Sequence, residues 1–230
     1  MIIGLAFSAA ASDFSAEIAR LHSRDAQEKS KAIQTLIAAG PKAVAAIVGS
    51  SQGTLGREAA ARILQKMGPK AIPSLLELLD DEKLRIAAGG FLFQLIGPES
   101  LHLTPKLIDC VRKKPGVKHY CGQALVKMMR PTAAAQIERL IAALKDKDQD
   151  LRIYAAAALG QIGPNASAAI PALTASLSDS QPAVRASAAG ALAKMGAKAK
   201  PALPALKQAA AAANPELKRQ IEEAIEQING

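Results

Sequence analysis

Residues 168–179 read Ala-Ala-Ile-Pro-Ala-Leu-Thr-Ala-Ser-Leu-Ser-Asp, and residues 182–196 read Pro-Ala-Val-Arg-Ala-Ser-Ala-Ala-Gly-Ala-Leu-Ala-Lys-Met-Gly. In the first stretch Ile170, Leu173 and Leu177 share one helical face; in the second Val184, Ala188, Ala191, Leu192 and Met195 do so. Two such helices joined by a short polar turn make a helical hairpin. The stretch before it repeats the pattern with Leu140, Leu144 and Asp146, then Leu151, Arg152, Leu159, Ile162 and Gly163. Self-similarity of this kind marks a repeat architecture, in which each unit buries its apolar face on its neighbours.

The same punctuation recurs outward from this pair. Gly-Pro stands at 40–41, 68–69, 97–98 and 163–164, with Arg130-Pro131 and Gly196-Ala197 as variants and Gly230 at the end. The intervals are 28, 29, 33, 33, 33 and 34 residues. Glycine supplies the left-handed C′ residue that closes one helix, and proline suits the first turn of the next. Seven hairpins are predicted, at about 12–40, 41–68, 69–97, 98–130, 131–163, 164–196 and 197–230. Asp25 with Glu28 forms a capping-box-like start for a helix through Ala39. Asn214-Pro215-Glu216 opens the last helix, and its Glu222, Glu223 and Glu226 give it the polarity expected of a terminal cap.

Half of the 230 residues are hydrophobic, but 50 are alanine and only 3% are aromatic. The hydrophobic content excludes disorder, and 16 glycines without a triplet period exclude collagen. Methyl-sized side chains suit an architecture of closely approaching backbones, as stacked short helices require.

On these residues the units resemble HEAT repeats, in particular the short HEAT-like repeats that also occur in phycobilisome lyases. The resemblance is strongest over residues 131–196, extends over 69–97 and 197–230, and is loose before residue 68. The family pattern places a Pro in the first helix, an Asp at the hairpin and an Arg at the start of the second helix. Pro171, Asp179 and Arg185 match it, Asp146 and Arg152 keep the same step, and Pro73, Asp81 and Arg85 follow with a shorter turn. Pro105 and Pro204 lack the Asp, with Lys113 and Ala212 in its place. The resemblance implies an all-α fold, an α-solenoid built as a right-handed superhelical stack of about seven hairpins. The proline is expected to bend the first helix, and the aspartate to cap the second. Arg57, Arg85, Arg152 and Arg185 are expected to reach the Asp of a neighbouring unit, with Asp81, Asp146 and Asp179 as the acceptors of a structural ladder.

The resemblance also implies that the second helices line a concave face where an extended partner binds. Leu64, Leu125, Leu159 and Leu192 serve as equivalent anchors. Five residues before them stand Ala59, Tyr120, Tyr154 and Ser187; two before stand Arg62, Gln123, Ala157 and Gly190; two after stand Lys66, Lys127, Gln161 and Lys194. Both tyrosines of the chain thus share one slot, either as anchors in a partner groove or as padding between hairpins. The candidate partner-binding set is Arg62, Lys66, Tyr120, Gln123, Lys127, Tyr154, Gln161 and Lys194, which suits a protein partner with acidic elements. Phe91 and Phe93 read as core.

The net charge is +9, and residues 98–130 hold seven basic against two acidic residues, centred on Arg112, Lys113, Lys114 and Lys118. His22, His102 and His119 stand outside any His-Glu pair or His-Glu-x-x-His motif, and neither a phosphate loop nor a nucleophile elbow occurs. No catalytic residue, metal ligand or cofactor is assigned. The leading reading is a non-catalytic protein-interaction scaffold. The alternative is an auxiliary bilin-lyase-like or chaperone-like factor acting on a client protein. A third is nucleic-acid binding through the basic 98–130 hairpin, set against the scarcity of aromatic stacking residues.

Residues 1–11, Met-Ile-Ile-Gly-Leu-Ala-Phe-Ser-Ala-Ala-Ala, read either as the rear of a secretory signal or as an apolar arm, which leaves export and cytoplasmic residence both open. No apolar run is expected to reach the roughly 18 residues that span a bilayer. Cys110 and Cys121 fall opposite one another across Pro115-Gly116. They suit a disulfide in an oxidising compartment and a pair of small buried thiols elsewhere.

Overall fold

The computed structural model of the chain describes residues 14–51 and 54–230, so the signal-or-arm reading of residues 1–11 lies outside the described residues. Among the described residues fourteen α-helices pair in chain order into hairpins, and no strand occurs. They are α1 Ser15–Arg20, α2 Ala26–Ala39, α3 Val44–Gly49, α4 Thr54–Met67, α5 Ile72–Glu77 and α6 Arg85–Leu95, followed by α7 Thr104–Lys113, α8 Lys118–Met128, α9 Ile137–Ala143, α10 Gln149–Ile162, α11 Ile170–Ser176, α12 Pro182–Lys194, α13 Leu203–Ala211 and α14 Pro215–Asn229. The fold is an α-solenoid. It comprises two compact units, one ending at Ile96 and one spanning Gly97–Gly230.

Within the first unit the second helices α2, α4 and α6 are successive neighbours, as are the first helices α1, α3 and α5. Leu36, Ile47, Ile63, Leu64, Ile72, Leu75 and Leu92 are fully buried between the two layers. In the second unit α8, α10, α12 and α14 run side by side, each against its own first helix α7, α9, α11 or α13. Their facing surfaces are mostly small residues: Ala155, Ala156 and Ala158 on α10, Ala188, Ala189 and Ala191 on α12, all buried. A Cβ added to Gly160 would lie 3.0 Å from the Cα of Ala191. This close approach is the physical reason for a core rich in alanine.

The turns between hairpins differ in detail from the expected αL cap. Gly40, Gly68, Gly163 and Gly196 do take positive φ, 59 to 68°. For Gly40 and Gly163, however, ψ is −136° and −140°, outside the left-handed helical basin and in a region open only to glycine. The chain then enters a short 3₁₀ turn before the first helix proper, with Pro41, Pro69 or Pro164 in its first positions. The repeat proline also sits elsewhere than expected. Pro73, Pro105, Pro171 and Pro204 occupy the opening turn of α5, α7, α11 and α13. There the missing N–H has no intrahelical acceptor to lose, so the proline starts the α-helix out of the 3₁₀ turn rather than bending it midway.

The start of α2 is capped by Asp25, which accepts from Gln27 N at 2.7 Å. Glu28 does not close the capping box on Asp25; it accepts instead from the Ser23 hydroxyl, which itself accepts from Asp25 N. Asn214 caps α14 by accepting from Leu217 N at 2.9 Å, with Pro215 next in line. On α14, Glu222 and Glu226 are exposed at the positions that Ala189 and Ala193 hold on α12, where they are buried. The outer face of this last helix is thus charged where its predecessor is apolar.

One sequence expectation is corrected here. Ala26–Gly49 is long and apolar enough, by length and composition, to cross a membrane. It is not one straight helix, because the positive φ of Gly40 and the following Pro41 break it into α2 and α3. Its apolar residues Ala32, Leu36, Ala43, Val44 and Ile47 are buried within the first unit. Phe91 is core as expected, whereas Phe93 on the opposite face of α6 is 37% exposed. Aromatic residues two apart on a helix point in different directions, so both cannot face one core.

Candidate functional site

Two groups of side chains rise above plain packing, and both lie in the Gly97–Gly230 unit. The first is an arginine–aspartate ladder along the hairpin turns. The turn after α9 carries Asp146, whose Oδ1 accepts from Asp148 N at 2.9 Å. The turn after α11 carries Asp179, whose Oδ1 accepts from Gln181 N at 2.9 Å. Each aspartate therefore shapes its own turn and presents its remaining lone pairs sideways. Asp146 does not cap its second helix as expected; Asp148 does, accepting from the N–H groups of Asp150 and Leu151.

Arg152, in the first turn of α10, meets Asp179 of the next hairpin with two hydrogen bonds, Nε at 2.8 Å and Nη2 at 3.0 Å. Its Nη1 donates to the carbonyls of Asp146 and Lys147 at 2.8 and 3.2 Å. The position is unfavourable for a cation with respect to the helix dipole, and these carbonyl and carboxylate acceptors offset it. Burial would push the Asp179 carboxyl up, but the Arg152 guanidinium and the Gln181 N–H outweigh it and hold Asp179 below the usual carboxylate range. The hydrogen bond from Arg152 to Asp179 likewise raises the arginine, against a smaller opposing effect of burial.

The rung one hairpin earlier is built differently. Aligned on Leu125 and Leu159, Lys118 stands where Arg152 does, and its ammonium pairs with Asp150 rather than Asp146. Asp146 instead receives Arg112 from the last turn of α7, with Nε at 3.0 Å and Nη2 at 2.7 Å. Burial acts on Asp146 in the opposite sense to the Asp148 N–H and Arg112, which prevail and lower it. The other predicted ladder members are not joined this way. Arg57 is exposed and makes no pair with Asp81, whose Oδ1 is turned inward to accept from Lys83 N and Leu84 N. Arg85 pairs with Glu82 of its own turn at 3.5 Å. Arg185 keeps the two carbonyl bonds, to Asp179 O at 2.8 Å and Ser180 O at 3.3 Å, but among the described residues no carboxylate hydrogen-bonds to it, and Asp179 acts on it only through space.

The second group surrounds the tyrosine slot. The ring of Tyr154 occupies the space that a side chain at Gly122 would need, so α8 and α10 meet there only because residue 122 is glycine. The Tyr154 hydroxyl lies 2.8 Å from His119 Nδ1. Burial and the neighbouring Asp150 raise the Tyr154 phenol, with Lys118 opposing them. Tyr154 therefore ties two hairpins together, whereas Tyr120 in the equivalent slot is half-buried beside the His119 ring, 6.3 Å between centroids.

The remaining candidates divide by unit. In the second unit Gln161 and Lys194 are exposed and Gln123 and Lys127 are half-buried. Along the same faces Ala157 is half-buried, and a Cβ at the exposed Gly190 would meet nothing within 4 Å. In the first unit Arg62 and Lys66 are exposed, Arg62 lying 4.0 Å from Glu58. Cys110 on α7 and Cys121 on α8 are joined as a disulfide, with Cα atoms 6.0 Å apart. The basic cluster around residue 112 is largely compensated: Arg112 pairs with Asp146 and Asp109, Lys113 with Asp109, and Lys118 with Asp150.

Stacked two-layer hairpins with an inter-hairpin arginine–aspartate ladder define an α-helical repeat protein. The chain belongs to the HEAT-repeat family: residues 137–226 match HEAT repeats, and residues 56–81 match the PBS lyase HEAT-like repeat. A designed armadillo repeat protein solved in complex with the peptide (KR)4 superposes with a TM-score of 0.52 at 21% identity, covering 93% of this chain and 98% of that one. Two engineered proteins superpose with the same TM-score of 0.52, at 18% and 20% identity, covering 94% and 95% of this chain and 96% and 99% of theirs. These likenesses are of fold. No curated protein matches the chain.

Proposed function

We propose that this chain is a non-catalytic protein-binding scaffold, and that its partner lies along the exposed row formed by successive second helices of the Gly97–Gly230 unit. The observation that supports this is the repetition of one surface pattern on α10 and α12. A small residue, Ala157 or Gly190, is followed four positions later by an exposed Gln161 or Lys194. Small residues let a partner's backbone approach, while amide and ammonium groups beside them offer hydrogen bonds and positive charge to acidic elements. Tyr120 and Gln123 extend the same row on α8.

The test is affinity purification with the full chain against Gln161→Glu combined with Lys194→Glu. Both positions are exposed, so thermal unfolding should be unchanged while partner recovery falls at least tenfold. Undiminished recovery by a variant of unchanged stability overturns the reading. The nucleic-acid alternative is not favoured, because Arg112, Lys113 and Lys118 are engaged with aspartates of the chain itself.

A further inference from the structure

The ladder ends on Arg185, which feels the Asp179 carboxylate through space but meets no carboxylate at the next ladder position. Its charges alternate along the hairpin turns as Arg112, Asp146, Arg152, Asp179 and Arg185. In the two completed rungs the carboxylate comes from the following hairpin. After Arg185 the corresponding residue, 33 positions beyond Asp179, is Ala212. Arg185 is nevertheless held as Arg152 is, by Nη1 bonds to the carbonyls five and six residues before it. The Nε and Nη2 groups that Arg152 uses on Asp179 have no acceptor among the described residues when they belong to Arg185. Arg185 lines a pocket of about 320 Å³ together with Leu177, Asp179, Ala205, Gln208 and Ala212. The Asp179 carboxylate is occupied by Arg152 and Gln181 N, as Asp146 is by Arg112 and Asp148 N behind Arg152, so the two settings are alike.

We infer that this pocket is a carboxylate-binding site, in which Arg185 takes an aspartate or glutamate side chain of a docking protein in the two-point geometry that Arg152 makes with Asp179. The planar guanidinium fork, already fixed by two carbonyls, loses little freedom on receiving a carboxylate. Gln208 stands by to donate to the same group, and the methyl groups of Ala205 and Ala212 leave room for it. The site lies at the hairpin-turn edge, apart from the exposed row on the second helices. It rests on the protein-binding reading but not on the position of a partner along that row.

The experiment follows the Arg185 Nε–Hε resonance of the full-length chain by NMR, assigned by its loss in Arg185→Gln. The probe is N-acetyl-aspartate amide, which carries one side-chain carboxylate on a peptide unit. Controls are N-acetyl-asparagine amide, sulfate, and citrate as a free multicarboxylate, all at constant ionic strength. The expected result is a saturable shift with a half-saturation concentration at least fivefold lower for the aspartyl probe than for each control. Ala212→Asp should abolish the response by supplying the carboxylate from within, and Ala209→Phe should do so by filling the pocket. Equal shifts with all anions, tighter binding of citrate, or an unaltered response in both pocket variants each overturn the assignment.

Discussion

Arg152 of one hairpin and Asp179 of the next form a two-point ion pair in which both side chains are nearly buried, 13% and 14% exposed. It closes a turn that also binds Arg152 through the carbonyls of Asp146 and Lys147. An exposed pair of this type adds little, but here removal of one partner leaves the other shielded from water. Arg152→Ala is therefore expected to lower stability by about 2 kcal/mol in urea unfolding. Arg152→Lys should recover less than half of that loss, because an ammonium cannot reproduce two parallel bonds.

The same aspartates set the response to acid. Asp146 and Asp179 are held below their ordinary carboxyl range in the folded chain, so they bind fewer protons folded than unfolded at moderately low pH. Their contribution is fully present above the unfolded value, roughly pH 4, and is lost as pH falls through the depressed folded values. Unfolding free energy measured between about pH 5 and pH 2 should fall with acid, and Asp179→Asn should flatten that fall. An unchanged slope in Asp179→Asn excludes Asp179 as a source of the acid sensitivity.

The disulfide gives a third expectation. Cys110 and Cys121 are eleven residues apart, so the bond closes a short loop around the turn between α7 and α8. By loop-closure entropy it stabilises the folded chain by about 3 kcal/mol. Reductant should lower the melting temperature of the wild-type chain and leave Cys110→Ser with Cys121→Ser unmoved. The intact mass should rise by two hydrogens on reduction.

The hairpin periodicity was legible because few residues can perform its tasks. A positive φ needs Gly40, Gly68, Gly163 and Gly196, and a layer between helices needs Leu64, Leu125, Leu159 and Leu192 at helical spacing. The Arg152–Asp179 rung followed from the same regularity. What stayed hidden were interactions that break the regularity. Arg112 lies in a first helix, outside the Asp-to-Arg step, and takes Asp146, while Lys118 pairs with Asp150. The alignment on Leu125 and Leu159 holds the signal for Lys118, which falls 34 residues before Arg152. His119 has no such marker, since its role rests on how closely α8 and α10 approach at Gly122.

That approach supports the sharpest prediction for the tyrosine slot. In Gly122→Ala the new methyl group would collide with the Tyr154 ring, and the ring is anchored at its other end by the His119 hydrogen bond. Overpacking of this kind costs about 1–3 kcal/mol. If the ring is what excludes the methyl group, the penalty must vanish in a Tyr154→Ala background. There alanine at 122 should instead be favoured over glycine by about 0.5–1 kcal/mol, the ordinary helix preference. The sign of the Gly122→Ala effect should therefore invert between the two backgrounds in a double-mutant cycle read by chemical unfolding. A penalty that persists without the tyrosine would place the constraint in the backbone contact of α8 and α10, and would leave Tyr154 free to serve a partner.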